Sequence, residues 1–189
     1  MMACDRIAAV LLAAGRGMRF GGNKLEAILG DTMLGLHAAR TLAEMQFGSL
    51  FAVHDPSHGA LAAAFTDHRF TLIDNDDPSA GLSRSLALAA EAALTTDADA
   101  LLICLGDMPF VTRAHLLALI GAGGEDVVAS AIGDARMPPA LFPRSRWSTL
   151  MHLSGDAGAR TLLRDAIVVQ GPSAMLADID TRADLNGSS

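Results

Sequence analysis

Apolar residues run without a break from Ile7 to Ala13. A half-exposed strand would alternate, so this run predicts a strand buried on both faces. Gly15 to Lys24 is a glycine-rich loop. Helical spacing over Leu34–Met45 predicts a helix, with Asp31 or Thr32 placed to cap it. Leu50–His54 predicts a strand, and Asp55-Pro56 the cap and first-turn proline of a helix to about Phe65. Phe70–Ile73 is a short strand and Ser83–Leu94 an alanine-rich helix. Ala100–Leu105 is a second buried strand, ending in Gly106-Asp107-Met108-Pro109, and Thr112 caps a helix to about Ile120. Strands alternating with helices in this way imply βαβ units and a parallel sheet with helices on both faces. After Gly121 the rhythm changes. Val127–Ala131, Ala140–Phe142 and Ile167–Gln170 predict strands, with helices near Ser145–His152 and Ala159–Arg164. Pro138, Pro139 and Pro143 fit edge or loop positions, not a central strand.

Composition narrows the class. The chain has 189 residues, 51% hydrophobic and 19% charged, which is one domain with a core and not a disordered segment. Fourteen basic residues face 21 acidic ones, and there is no tyrosine and one tryptophan, so neither a basic field nor a stacking platform suits nucleic acid. No apolar run approaches the ~20 residues of a membrane span. The opening MMACDR and IAAVLLAAG imitate a short signal peptide, but Asp5 sits in the would-be basic region and a glycine-rich basic loop follows. Cys4 and Cys104 make neither a disulfide framework nor a zinc site, and a reducing cytoplasm is the expected setting. The charge is uneven. Residues 5–24 hold four cations and one acid, whereas residues 26–124 hold four cations and twelve acids. All the basic residues are arginine except one, Lys24.

In open α/β sheets ligands bind beyond the carboxyl ends of the strands, which here means the loops after Ala13 and after Leu105. The first contains Gly15, Gly17, Gly21 and Gly22 among Arg16, Arg19 and Lys24, so free backbone N–H groups and cations surround one place. The dinucleotide fingerprint fails at Phe20, and the P-loop fails at Asn23-Lys24-Leu25, which has no hydroxyl for magnesium. A lone lysine suits a position that accepts a compact point charge and not a broad fork. Asp107, at a strand end, suits Mg²⁺ as a hard carboxylate; the competing role is a helix N-cap or turn residue before Pro109. His54 and His58 have Pro56 between them and no carboxylate pattern that completes a zinc site, which leaves them as loop residues. Ser83 and His115 show no nucleophile-elbow spacing, and Cys104 reads as inert core.

The stretch LLAAGRGMRFGGNKL resembles the signature of the MobA-like nucleotidyltransferases, which include the molybdenum cofactor guanylyl- and cytidylyltransferases. Further segments resemble that family in order. Asn75 to Leu86 is similar to its base- and ribose-contacting turn and helix, and Leu105-Gly106-Asp107-Met108-Pro109 to its metal motif. Pro139-Ala140-Leu141-Phe142 and Leu153 to Arg160 are similar to its acceptor-side segments, and Asp178-Ile179-Asp180-Thr181 to its C-terminal motif.

The resemblance implies a three-layer α/β/α fold with a mostly parallel, Rossmann-like sheet of the nucleotide-diphospho-sugar transferase type. It implies one domain over residues 1–189, with a nucleotide-binding part to about residue 121 and an acceptor-side part from about 122. The implied reaction joins a nucleoside monophosphate from a triphosphate to a phosphorylated acceptor such as molybdopterin, with Mg²⁺, releasing pyrophosphate. Leu12, Ala13, Ala14, Gly15, Arg16, Gly17, Lys24, Gly81 and Ser83 would bind the nucleotide, and Arg19, Lys24 and Asp107 would be catalytic. Asp107 and Asp180 would hold the metal, although Asp180-Thr181 before Ala183-Asp184 also reads as a helix cap. Pro139 and Asp156 would face the acceptor. The double alanine in Leu12-Ala13-Ala14-Gly15 looks like the cytidine-using branch, pointing to CTP more than GTP. The family often has Gly-His-Pro before the Pro139-like strand; here Arg136-Met137-Pro138-Pro139 lacks the histidine, which puts molybdopterin in doubt as the acceptor. Two alternatives stand beside this reading. One is a cytidylyltransferase for an isoprenoid-precursor or sugar phosphate, against which Asn23 and the Gly-Asp-Met-Pro segment count. The other is a non-catalytic chaperone that delivers cofactor to a molybdoenzyme, against which intact Arg19, Lys24 and Asp107 count. A molybdoenzyme or maturation factor is the implied protein partner.

Overall fold

The computed structural model describes residues 2–15, 17, 19–153 and 161–187. Its strands are β1 (Ile7–Ala13), β2 (Ile28–Leu29), β3 (Thr32–Met33), β4 (Ser49–His54), β5 (Thr71–Asp74), β6 (Ala100–Leu105), β7 (Val128–Ile132), β8 (Ala135–Pro143) and β9 (Ile167–Gln170). Its helices are α1 (Leu34–Ala43), α2 (Gly59–Asp67), α3 (Leu82–Leu94), α4 (Arg113–Ala122), α5 (Trp147–Met151) and α6 (Arg182–Gly187). Seven strands form one sheet in the order β5-β4-β1-β6-β8-β7-β9, and β2 and β3 make a small separate hairpin. The sheet is parallel from β5 to β6 and between β7 and β9; β8 runs antiparallel to both its neighbours. No helix among the described residues is long and apolar enough to cross a membrane.

β1 explains the three layers. Every one of its residues is buried. Ile7, Ala9, Leu11 and Ala13 enter a core with α1, α2 and α4, while Ala8, Val10 and Leu12 enter a second core with α3 and α5. A strand sandwiched in this way has no polar face to show, hence the unbroken apolar run. The chain leaves β1 for β4 and β5 on one side, then crosses to β6 on the other, so the order in which strands are added reverses between β1 and β6. Such a switch point opens a crevice at the carboxyl ends of the strands.

Several local expectations give way to tertiary partners. Neither Asp31 nor Thr32 caps α1: Thr32 pairs with Leu29 in the hairpin, and the first amide of the helix, from Leu34, donates to the Ala27 carbonyl at 2.8 Å. Asp55 does not start α2. Its carboxylate accepts from the amide and hydroxyl of Ser57 at 2.9 and 2.7 Å, closing a turn, and the helix begins at Gly59. The Leu61 amide in its first turn is satisfied instead by Glu26 at 3.2 Å. Thr112 does cap α4, accepting from the His115 amide at 3.3 Å. His54 is the buried last residue of β4 and not a loop residue. Cys104 is core, its thiol pushed up to about 12 by burial.

The prolines are the clearest correction. β8 is an interior strand, yet it contains Pro138, Pro139 and Pro143. The ladder with β7 jumps from Ala129–Ala140 to Ser130–Met137, so Pro138 and Pro139 are bulged out and no ladder N–H is required of them. Their carbonyls still need donors. Ser130 Oγ donates to the Pro139 carbonyl at 2.8 Å, and His115 Nε2 donates in turn to Ser130 Oγ at 2.8 Å. Burial holds the His115 pKa below its ordinary value, which favours the neutral ring that this chain of bonds uses.

Candidate active site

The cleft at the switch point encloses about 640 Å³. Four segments wall it: the end of β1 with its glycine loop, the turn before α3, the end of β6, and the extended stretch before α6. The loop is placed by Leu25, which is buried directly after Lys24. A Cβ added to Gly106 would come within 3.2 Å of the Leu25 side chain, and one added to Gly35 of α1 within 3.3 Å, so two glycines make the slot that Leu25 fills. The Gly106 amide donates to the Leu12 carbonyl at 3.0 Å, which ties the ends of β1 and β6 together. Within the loop, Gly17 has φ +54°, and its carbonyl accepts from Phe20 and Gly21 at 2.9 and 3.1 Å. A Cβ there would lie 2.6 Å from the Gly22 carbonyl oxygen. Gly17→Ala is therefore expected to cost about 1–3 kcal/mol of stability from the left-handed backbone alone, measured by denaturant unfolding.

The lone lysine is the hub of the cleft. Its ammonium donates to Asp107 Oδ2 at 2.8 Å and to Asp180 Oδ1 at 3.1 Å. Arg19 donates to the other Asp180 oxygen at 3.0 Å. The Lys24 side chain is 9% exposed, against 24% for Asp107, 40% for Asp180 and 81% for Arg19. Burial pulls the lysine pKa down, but the charges and hydrogen bonds of Asp107 and Asp180 outweigh it and hold the value above ordinary. The ammonium is thus charged throughout the neutral range, and its ion pairs weaken only as pH climbs through that raised value.

Asp178 and Asp180 reach the cleft by alternation. They flank Ile179, which is buried and whose amide donates to the Asp107 carbonyl at 2.9 Å, and in extended chain the residues on either side of an inward one face the opposite way. The cap reading of this segment also holds, on other residues. Thr181 and Asp184 bond reciprocally at the start of α6, the Thr181 amide and hydroxyl donating to Asp184 at 2.7 and 2.8 Å. The Thr181 bonds hold the Asp184 carboxyl below its usual range. The carboxylate of Asp180 is left to face the two cations. Asp107 likewise directs its carboxylate to Lys24.

Among the residues singled out from the sequence, Leu12, Ala14, Gly15, Gly17, Arg19, Lys24, Gly81, Asp107 and Asp180 line this cleft. Others stand elsewhere. The Ala13 side chain belongs to the core on the far face. Ser83 is buried, its hydroxyl turned back to the Ala80 carbonyl at 3.4 Å, and Ser85 takes the lining position instead. Ser85 accepts from Asn75, which is wholly enclosed, at 3.1 Å. Pro139 lies in the β8 bulge and outside the lining. Arg16 and Asp156 lie outside the described residues. Asp178 and Ser85 were not singled out, though both had a signal: period-two spacing to Asp180, and one helical turn from Leu82. Among the described residues the loop's cations are not a free basic patch. The described ionisable lining residues are Arg19 and Lys24 against Asp107, Asp178 and Asp180, and both of these cations are paired.

The donor set fits a divalent cation. Two carboxylates from distant parts of the chain already converge on one positive centre, and hard oxygen ligands of this kind suit Mg²⁺ or Mn²⁺.

Comparison with known proteins gives the family and the fold. Residues 9–172 match the model of the MobA-like NTP transferase domain. The purine catabolism protein PucB of Bacillus subtilis (strain 168) is 29% identical over 185 residues, covering 91% of this chain and 90% of its own. The crystal structure of Rv0371c from Mycobacterium tuberculosis H37Rv superposes with a TM-score of 0.84 at 26% identity, over 100% of this chain and 98% of that one. A manganese complex of Rv0371c superposes with a TM-score of 0.79 at 25% identity, over 96% and 97% of the two chains.

Proposed function

This chain belongs to the MobA-like NTP transferase family and is a nucleotidyltransferase, and from that premise we propose that it transfers a cytidylyl group from CTP to a phosphorylated acceptor, molybdopterin, with Mg²⁺ held by Asp107 and Asp180. The observation that carries the reading is the convergence of the lone lysine on those two carboxylates at the sheet's switch point. An oxygen of the acceptor phosphate forms a bond to the α-phosphorus, the bond from that phosphorus to the α–β bridging oxygen breaks, and the electron pair leaves with pyrophosphate. Bringing two polyanions together is the difficulty, so the protein's part is positioning and charge neutralisation. A divalent cation, when bound, supplies charge neutralisation to the phosphates.

The chain's own residues supply the rest. Gly15 and Gly17 present backbone N–H groups to the triphosphate, and Arg16 is assigned the same part. Arg19 and Lys24 neutralise charge on the leaving pyrophosphate. Gly81, with φ +82°, turns the chain into α3, whose start receives the base and ribose. Gly15 gives this a direct test. It has no positive φ, and a Cβ there would meet nothing within 4 Å, so the protein itself has room for a side chain. Gly15→Ala is expected to melt no lower than wild type while binding triphosphate more weakly, read by equilibrium titration. Unchanged affinity removes Gly15 from the phosphate cradle.

CTP is supported by the double alanine Ala13-Ala14. The acceptor side is read as Pro139 and Asp156. The segment Arg136-Met137-Pro138-Pro139, without a histidine, favours a second reading in which another phosphorylated small molecule is the acceptor. Two free thiols suit a cytoplasmic setting, and the molybdopterin reading implies a molybdoenzyme or its maturation factor as partner. A panel of triphosphates against molybdopterin and other phosphorylated acceptors, scored by pyrophosphate release, separates these. Release from CTP with molybdopterin is the expected result. Equal rates with every triphosphate overturn the base assignment, and no release with any acceptor favours a cofactor-binding chaperone.

A further inference from the structure

We propose that Lys24 is a resident counter-ion of the metal site, so that a divalent cation enters with the nucleotide and not before it. The inference rests on the reading of Asp107 and Asp180 as metal ligands and goes beyond it to the order of binding. The Lys24 ammonium stands between the two carboxylates, bonded to one oxygen of each at 2.8 and 3.1 Å. That is the place a cation bound to both of them needs. The second oxygen of Asp180 is committed to Arg19 at 3.0 Å, so both its oxygens already serve positive charges. A metal ion that takes Asp180 competes with these contacts for the same oxygens, and one that sits between the two carboxylates, where the ammonium stands, displaces Lys24.

Displacement has a cost set by where the lysine sits. Its side chain is 9% exposed, so water solvates the ammonium poorly and its anions stabilise it. A metal arriving alone would strip it of Asp107 and Asp180 together. A triphosphate lying along Gly15 and Gly17 offers the same ammonium a richer anionic partner within reach of its flexible stem, since a Cβ on Gly17 would stand 3.2 Å from the Lys24 Cβ. The nucleotide draws the lysine off, and the carboxylates become free for the metal. Binding of the two ligands is therefore coupled, and by linkage the metal tightens the nucleotide by the same factor. In the resting protein the lysine also keeps the two carboxylates together, sparing the site their mutual repulsion.

The test measures Mn²⁺ alone, without nucleotide or acceptor, on the full chain. Bound ion is counted from the electron paramagnetic resonance signal of free Mn²⁺, with the Mn²⁺-dependent rise in melting temperature as a second readout. Lys24→Met keeps the apolar stem and removes the charge, and Lys24→Gln serves if the first variant does not fold. Either is expected to bind Mn²⁺ about tenfold more tightly than wild type, within the range usual for coupled sites. Adding Asp107→Asn should abolish the gain. Arg19→Gln removes a cation that touches only Asp180, and it should tighten binding less than about threefold. Equal tightening in Arg19→Gln and Lys24→Met would mean a general charge effect and overturn the proposal. A Lys24 variant that binds no more tightly than wild type, with Asp107→Asn still abolishing binding, overturns the proposal and leaves the metal ligands standing. Mn²⁺ binding that is undetectable throughout, or indifferent to Asp107→Asn, overturns the metal reading and the proposal with it.

Discussion

Lys24→Ala is expected to lower turnover by about a hundredfold or more at saturating triphosphate, measured as pyrophosphate release. A charged donor aimed at charge that develops in the reaction is typically worth ~3–4 kcal/mol, and each ~1.4 kcal/mol is a factor of ten. Lys24 qualifies because its ammonium is enclosed in the cleft and held charged by its neighbours. The variant also leaves Asp107 and Asp180 without their shared cation, so its melting curve must be recorded beside the rate to separate lost chemistry from lost folding. Lys24→Arg keeps the charge and is expected not to restore the rate. One ammonium serves two carboxylates from two segments, a point-charge arrangement that a planar fork does not reproduce. Near-normal rates in both Lys24→Ala and Arg19→Ala would remove this pair from the mechanism.

Asp107→Asn is expected to reduce metal-dependent turnover by at least about a hundredfold, the scale of several kcal/mol of charge stabilisation. The substitution separates the two roles that its position suggests. Asparagine supports a turn before proline as well as aspartate does, so a structural role predicts no loss. A carboxylate that ligates a cation cannot be replaced by a neutral amide. The geometry already separates them in part, because the Asp107 carboxylate meets the Lys24 ammonium at 2.8 Å. Full activity across a magnesium titration would show the metal assignment to be wrong.

Much of the frame was legible because it follows from local periodicity. β1, β6 and β9 begin and end at the residues read from the sequence, and α4 starts at the cap that Thr112 provides. Local signals fail where a distant partner competes with them. Asp55-Pro56 looks like a helix start, but its carboxylate closes a turn on Ser57, and Glu26 serves α2 from across the fold. Three prolines look unfit for an inner strand, and a bulge with a buried serine and histidine admits two of them. Ser83 and Ser85 are both small polar residues at the start of one helix. The placement of α3 against the cleft brings Ser85, with Leu82, into the lining and leaves Ser83 out of it.

The sequence alone determined the buried central strand, the alternation that builds a parallel sheet, the glycine loop, and the single lysine placed in it. Each is a property of neighbouring residues, set by side-chain period and backbone freedom. The tertiary structure decided how the charges are paired. Arg19 and Lys24 read as a basic patch along the chain, yet Asp107 and Asp180 come from 83 and 156 residues beyond Lys24 to meet them. Coulombic pairing acts through space, and the order of strands about β1, which no local pattern states, brings these carboxylates to the end of the first strand.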